Sequence, residues 1–86
     1  MALYKIEWKQ SAKKEIKKLD KTIISKILEA VAVLAENPHP RSSKKLKGTE
    51  NTYRIRIGNY RVVYSVFPSV LTIEIVKVGH RKSIYR

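Results

Sequence analysis

The chain has 86 residues, a formal net charge of +12 and no cysteine. This length is typical of one domain, so we predict a single domain over residues 1–86. Without cysteine the chain has neither disulfides nor thiolate ligands, which excludes a disulfide-stabilised secreted scaffold. It also has no apolar run long enough to span a membrane and no signal segment after Met1. We therefore expect a soluble, cytoplasmic protein that does not bind membranes.

The first residues predict a strand followed by a helix. Apolar and charged residues alternate over Ala2–Trp8, which is the pattern of a half-buried strand. Ser11 is a suitable N-cap for a helix that continues to about Leu19. The remaining surface of this helix is rich in lysine, which we interpret as a solvated face.

A second helix and a basic loop come next. Asp20 or Thr22 can cap the helix, and Asn37-Pro38 ends it after Glu36. The apolar stripe expected to cover the sheet consists of Ile24, Ile27, Leu28, Val31, Leu34 and Ala35. The loop at 39–51 is strongly basic. It either keeps the protein soluble or contacts phosphate, with Lys45 and Lys47 as the substrate-binding candidates.

The second half of the chain predicts three strands. Thr52–Val66 alternates apolar and polar residues on both sides of Gly58-Asn59, a pair that suits a two-residue hairpin loop. After a turn at 67–69, a nearly continuous apolar run predicts a strand over Val70–Val78. The predicted fold is α+β, in the order β-α-α-β-β-β. A mostly antiparallel four-stranded sheet carries both helices on one face.

Arginine is concentrated on one face of the predicted hairpin. All six arginines lie after residue 40, where eleven basic residues accompany only Glu50 and Glu74. A two-residue loop places Arg56 directly opposite Arg61, with Arg54 two residues along the same face. Like charges that face each other destabilise a sheet, and the planar fork of arginine suits phosphate. We therefore predict that a polyanion binds this face.

The residue types restrict the chemistry. The sequence has no His and carboxylate cluster at metal-ligand spacing and no phosphate-binding glycine loop, so we expect no metal and no other cofactor. Cationic and phenolic residues instead suit metal-independent RNA cleavage, in which the substrate's own 2′-OH attacks the adjacent phosphate. The candidate residues are Arg54, Arg56, Arg61, His80, Arg81 and Tyr85.

Three motifs follow one another in a characteristic order. They are Leu46-x-Gly48, Tyr53-Arg54-x-Arg56-x-Gly58-x-Tyr60-Arg61-Val62-Val63-Tyr64, and Val78-Gly79-His80-Arg81-x-x-x-Tyr85. Together they resemble the RelE/ParE toxin superfamily, and more narrowly its RelE-type toxins. The resemblance extends from Leu3 to Tyr85. It implies a toxin that enters the ribosomal A site, contacts rRNA, cleaves the mRNA there and is neutralised by a cognate RelB-like antitoxin.

The resemblance also implies roles for individual residues. Arg54 and Arg56 match two basic positions on the first hairpin strand of the family, and Arg61 matches its phosphate-binding arginine. Arg81 matches the arginine credited with stabilising the transition state. Tyr85 matches the C-terminal tyrosine that stacks on the substrate base.

Some positions depart from the family pattern. The best-studied RelE toxins have lysines where Arg54 and Arg56 stand, and one of those lysines is their suggested general base. Arginine stays protonated, so we predict that His80 serves as the base, unless it is a structural histidine bonded to backbone. We interpret His39 as structural. Tyr85 either stacks on the substrate or anchors the tail in the core.

Two other functions stay open at this point. A ParE-like toxin inhibits DNA gyrase without performing chemistry, and a binding module would use the basic face only to engage rRNA. ParE-like members generally lack the full set of arginines and the tyrosine, so the sequence favours the ribonuclease.

Overall fold

The computed structural model describes residues 3–80 as a five-stranded sheet with two α-helices. The elements are β1 (Lys5–Trp8), α1 (Gln10–Lys17), α2 (Lys21–Glu36), β2 (Lys44–Lys45), β3 (Thr52–Ile57), β4 (Tyr60–Phe67), a 3₁₀ turn (Pro68–Val70) and β5 (Thr72–His80). The strand order is β1-β5-β4-β3-β2. Strand β1 is parallel to β5, and the other neighbouring strands are antiparallel. The predicted α+β class is confirmed.

The fifth strand, β2, lies in the segment that the sequence predicts as a loop. Its two residues, Lys44 and Lys45, pair with Arg54 and Tyr53 of β3. The Leu46 N–H then donates to the carbonyl of Thr52 at 2.9 Å. A strand of two residues has no alternation that a sequence could reveal. It forms because β3 offers an unpaired edge whose N–H and C=O groups need partners.

The core lies between the sheet and the two helices. Apolar residues at alternate positions of the central strands are buried there, as expected for a sheet with one covered face. The buried members are Ala12, Ile16, Ile27, Val31, Leu34, Ile55, Val62, Tyr64, Val66, Ile73, Ile75 and Val78. Neither helix in this part of the chain is long and apolar enough to cross a membrane.

Helix α1 begins two residues earlier than the sequence predicts. It starts at Gln10, and Lys9 occupies the N-cap position without a side-chain capping bond. The prediction of Ser11 as N-cap is wrong, because the Lys9 N–H donates to the Ile75 carbonyl at 2.9 Å. This bond to β5 sets the point at which the chain leaves β1.

Helix α2 has the predicted limits. Asp20 occupies the N-cap position, although its side chain makes no capping bond, and Asn37 is the C-cap. The alternative cap Thr22 lies inside the first turn. Leu28, which was predicted to cover the sheet, is 48% exposed. It lies at the margin of the apolar stripe, beyond the edge of the core.

The predicted hairpin register is confirmed. Tyr53 faces Tyr64 and Arg56 faces Arg61 across β3 and β4. Gly58, the first residue of the loop, has φ of 60°. Residues with a Cβ seldom adopt this conformation, so the glycine permits the tight connection.

The last strand begins and ends two residues later than predicted. Pro68–Val70 forms the 3₁₀ turn, and Leu71 has φ of 47°, the one positive value among the non-glycine residues that the structure describes. The proline fixes the chain in this turn. Val70 therefore lies before the strand instead of inside it.

A β-bulge interrupts the pairing of β4 with β5. Tyr64 pairs with Ile75 but the preceding residue Val63 pairs with Lys77, so Val76 is extra. An extra residue reverses the face on which every following side chain lies. The final residues of β5 therefore have the opposite orientation to the one that an uninterrupted strand would give them.

Helix α1 is bonded to β5 immediately after this bulge. The Val78 N–H donates to Glu15 Oε1 at 3.0 Å. A carboxylate that accepts a backbone N–H makes a strong, charge-assisted bond. Glu15 therefore joins the helix to the strand at the point where the regular ladder is interrupted.

Candidate functional site

Three arginines of the hairpin lie on the sheet face opposite the helices, here called the arginine face. Arg56 and Arg61 are direct cross-strand neighbours, and Cβ atoms in such pairs are about 4.5–5.5 Å apart. Arg54 lies two residues before Arg56 and so shares its face. On the other side of β4, Arg61 pairs with Gly79, which has no side chain to occupy that space. The structure thus brings together three of the predicted site residues.

The three arginines differ in their exposure to solvent. Arg56 is exposed and Arg61 is half-buried, whereas Arg54 is only 8% exposed. Each guanidinium has five N–H donors, no acceptor and a permanent positive charge. Two such guanidiniums on facing residues repel each other, and a nearby anion would offset that repulsion.

A cleft of about 450 Å³ adjoins the arginine face at the β2 edge of the sheet. Its lining residues are Arg41, Ser42, Ser43, Lys44, Arg54 and Arg56. Lys44 belongs to it because it pairs with Arg54 and therefore lies on the same face. We call this space the Arg54 cleft. Arg41 and Lys44 belong to the basic loop but are not among the predicted site residues, because only the register of the short strand β2 shows which loop residues share the face of Arg54.

The two lysines predicted to bind substrate lie elsewhere. Lys45 pairs with Tyr53, which lies on the same face of β3 as the core residue Ile55. Lys45 is therefore on the opposite face of the sheet from the three arginines. Lys47 lies in the exposed turn after β2. Neither lines the Arg54 cleft. The structure does not bring these lysines to the arginine face, and their binding of substrate stays a prediction.

An aromatic cluster holds the chain before β2 against the sheet. The Tyr64 hydroxyl donates to the Pro38 carbonyl at 2.7 Å, and its ring stacks on Tyr53 at a centroid distance of 5.9 Å. His39 meets Tyr53 edge to face at 4.7 Å. Burial raises the pKa of Tyr64 to about 12. These contacts agree with the structural role predicted for His39, and they position the segment that carries Arg41.

His80 lies at the end of β5, away from the arginine face. It pairs with Tyr60, and the two rings meet edge to face at a centroid distance of 5.5 Å. Alternation places His80 on the same side as Val78, which is buried against the helices. The structure therefore does not bring His80 together with Arg56 and Arg61, and its role as general base stays a prediction. Arg81 and Tyr85 lie outside the described residues.

A family model described as the ParE toxin of the type II toxin–antitoxin system parDE matches residues 6–85. The chain belongs to the RelE/ParE toxin superfamily. This confirms the family that the sequence motifs predict.

Relatives within the RelE/ParE superfamily point to its RelE-type members. A protein of Escherichia coli, provisionally named a RelE-like toxin protein, is 35% identical over 81 residues, which is 92% of this chain and 84% of the relative. The mRNA interferase toxin RelE of Escherichia coli K12 is 27% identical over 92% of this chain and 84% of its own. The archaeal RelE–RelB complex from Pyrococcus horikoshii OT3 contains a chain that superposes with a TM-score of 0.83, at 32% identity over 94% of this chain and 98% of that one.

Proposed function

We propose that this RelE/ParE member is the toxin of a type II toxin–antitoxin pair and a ribosome-dependent endoribonuclease that cleaves mRNA in the A site. The observation that carries the proposal is the pairing of Arg56 with Arg61 on the sheet face opposite the helices, beside Arg54. Like charges that face each other destabilise a sheet, and a bound phosphodiester would offset this repulsion. The likeness to a relative named an mRNA interferase supports the same reaction.

In the proposed reaction the substrate supplies its own nucleophile. The 2′-oxygen forms a bond to the adjacent phosphorus, and the bond from phosphorus to the 5′-oxygen breaks, giving a 2′,3′-cyclic phosphate and a 5′-OH. Arg56 and Arg61 donate to the non-bridging oxygens, where negative charge increases in the transition state. A base takes the proton from the 2′-OH, and an acid protonates the leaving oxygen. No step requires a metal ion.

The roles of His80, Arg81 and Tyr85 in this reaction are proposed from the sequence and from the family resemblance. The sequence predicts His80 as the base, although its side chain lies on the other side of the sheet from Arg56 and Arg61. The family resemblance assigns stabilisation of the charge at the phosphate to Arg81 and stacking on the base of the substrate to Tyr85. If Arg81 has this role, Arg81→Ala lowers cleavage by roughly 10²-fold or more, the scale of one lost oxyanion donor, without lowering the melting temperature. Full growth arrest by a normally expressed Arg81→Ala protein would contradict the assignment.

A toxin of this kind requires an inhibitor and access to ribosomes. We propose a small acidic RelB-like antitoxin that covers the arginine face, and a cytoplasmic location. A net charge of +12 predicts that this association is fast and that its rate falls with added salt. Expression of the chain alone and with its neighbouring small reading frame tests the pairing. A harmless lone chain, or a pair that does not co-purify, would refute it.

Gyrase inhibition is the second candidate function, because the matching family model is described as a ParE toxin. Primer extension on mRNA from induced cells, together with plasmid topology, separates the two candidates. The ribonuclease predicts new 5′ ends confined to translated reading frames and unchanged plasmid supercoiling. If the messages are intact and the plasmid is relaxed or linearised, the function is gyrase inhibition and the ribonuclease proposal is refuted.

A further inference from the structure

The Arg54 cleft contains a buried positive charge that the described part of the protein does not neutralise. Arg54 is 8% exposed, and within residues 3–80 it forms no ion pair and no side-chain hydrogen bond. This segment has no buried side-chain polar atom without a partner, so the guanidinium meets solvent at the cleft that it lines. A guanidinium with so little contact with water gains when an anion or an acceptor pairs with it.

The lining of the Arg54 cleft favours a phosphate. It contains four cationic side chains, two serines and no carboxylate. Arg41 and Lys44 are exposed at its rim, where they can close over an anion held by Arg54. A guanidinium fork binds two phosphate oxygens at once, and a lysine adds a mobile charge.

The chain that forms the wall of the cleft is fixed before any ligand binds. The Ser43 hydroxyl donates to the Pro40 carbonyl at 2.7 Å, and Tyr64 donates to Pro38. These bonds hold Arg41 between a turn and a two-residue strand. A site fixed in this way loses less conformational entropy when it binds its ligand.

The position of the cleft relative to Arg56 indicates which phosphate it binds. Arg54 and Arg56 are two residues apart on one strand, a separation of about 6.6 Å, and both line the cleft. Arg56 also faces Arg61 on the other side. One strand of RNA can therefore place the reacting phosphate at Arg56 and Arg61 and the neighbouring phosphate in the cleft.

We propose that the Arg54 cleft is a second phosphate subsite, which binds a backbone phosphate of the RNA beside the cleavage point through Arg41, Lys44 and Arg54. This inference rests on the proposed function, since it takes the ligand to be the substrate RNA. The family resemblance assigns no role to Arg41 or Lys44. Both act in binding and take no part in the bond-breaking step.

The test measures the binding of an RNA oligonucleotide with 2′-O-methyl ribose throughout, which cannot be cleaved because its nucleophile is blocked. Fluorescence anisotropy at several salt concentrations compares the native protein with R41Q/K44Q. We expect roughly tenfold weaker binding and a salt slope reduced by about 0.7, the value for one phosphate of a single strand. The double variant K13Q/K17Q removes the same charge from the exposed surface of α1 and keeps the native slope.

A second series identifies the phosphate itself. Each oligonucleotide carries one neutral methylphosphonate linkage at a different position. We expect the native protein to bind more weakly when the methylphosphonate replaces one particular phosphate next to the cleavage point. The same oligonucleotide should bind R41Q/K44Q as tightly as the unmodified oligonucleotide does. If the penalty is equal in both proteins at every position, the cleft holds no phosphate of the RNA. Arg54→Gln serves as a further variant only if its thermal melting shows that it still folds.

Cleavage on programmed ribosomes separates the subsite from the proposed function. If the native protein cleaves, R41Q/K44Q is expected to raise KM about tenfold with little change in kcat, because the contact is made equally in ground and transition states. Kinetics of R41Q/K44Q equal to those of K13Q/K17Q would refute the subsite and leave the ribonuclease intact. If the native protein never cleaves, the ribonuclease function is refuted, and the oligonucleotide series alone then tests whether the cleft binds a phosphate of RNA.

If R41Q/K44Q loses affinity for the antitoxin but not for RNA, the cleft binds an acidic peptide and the proposal is overturned.

Discussion

Because Arg56 faces Arg61, we predict that replacing one of these site arginines by a neutral residue makes the protein more stable. In Arg56→Gln the side chain keeps much of its length and its hydrogen-bonding capacity but loses its charge. The cross-strand repulsion with Arg61 then disappears, while the hairpin register and the apolar face beneath it are unchanged. We expect a higher melting temperature together with weaker toxicity.

The size of the gain follows from the geometry. Two guanidiniums carried by facing residues are roughly 7 Å apart, which corresponds to about 0.6 kcal/mol of repulsion in water. Physiological salt reduces this value by about half, and partial burial of Arg61 increases it. A repulsion of about 0.5 kcal/mol corresponds to a rise of about 2–4 °C in the melting temperature of a domain of this size.

A double-mutant cycle isolates the pair from every other contact of Arg61. Thermal melting followed by circular dichroism is measured for R56Q, R61Q and R56Q/R61Q at low and high salt. Because both single variants remove the same repulsion, the sum of their effects exceeds that of the double variant by about 0.5 kcal/mol. Lys13→Gln, on the exposed surface of α1, corrects for the general benefit of lowering a charge of +12.

The outcome that would refute this reasoning is specific. A cycle energy of zero, or one in which the arginines stabilise each other, would mean that the pair is not under electrostatic strain. A drop in melting temperature in both single variants would make the arginines structural. A coupling unchanged in 1 M salt would exclude a charge effect, since the screening length there is about 3 Å.

Two further predictions concern bonds that support the site. Tyr64→Phe removes the hydroxyl bond to Pro38 and should lower the free energy of unfolding by about 1–2 kcal/mol at pH 7 in urea titrations. The pKa of Tyr64 is raised to about 12, so the unfolded chain loses this proton near pH 10 while the folded protein keeps it. The free energy of unfolding of the native protein should therefore fall between pH 10 and 12, by up to about 1.4 kcal/mol per pH unit. That of Tyr64→Phe should fall less steeply over the same range. If both proteins lose stability at the same rate, the raised pKa of Tyr64 is contradicted. Glu15→Ala leaves the Val78 N–H without its acceptor and should cost about 1–3 kcal/mol, whereas Glu15→Gln keeps an acceptor and should cost less. Equal losses in the two variants would mean that the bond contributes nothing.

The hairpin and its arginine pair could be predicted from sequence because they depend on local rules alone. Gly58-Asn59 selects a two-residue loop, the loop sets the register, and the register puts Arg56 opposite Arg61. No contact with the rest of the chain enters this argument. The same holds for the end of α2, where Asn37 precedes a proline.

Features that depend on distant contacts could not be predicted in this way. Strand β2 forms only because β3 lies beside it, so its lysines could not be assigned to a face from their own sequence. The bulge at Val76 has no sequence signal, yet it decides the side of the sheet on which His80 lies. The start of α1 is set by the bond from Lys9 to Ile75 instead of by the serine that follows.

The parallel pairing of β1 with β5 has a consequence for synthesis. Lys5 is made well before Thr72, yet the two are register partners in the finished sheet. At about 5–20 residues per second, the first strand waits several seconds for its neighbour. Until then, α1 and α2 have no completed β4–β5 surface to pack on, and the nascent chain cannot enclose its core. The sheet is therefore completed only after β5 has been synthesised, so the formation of α1 and α2 and the closure of the core are separate events.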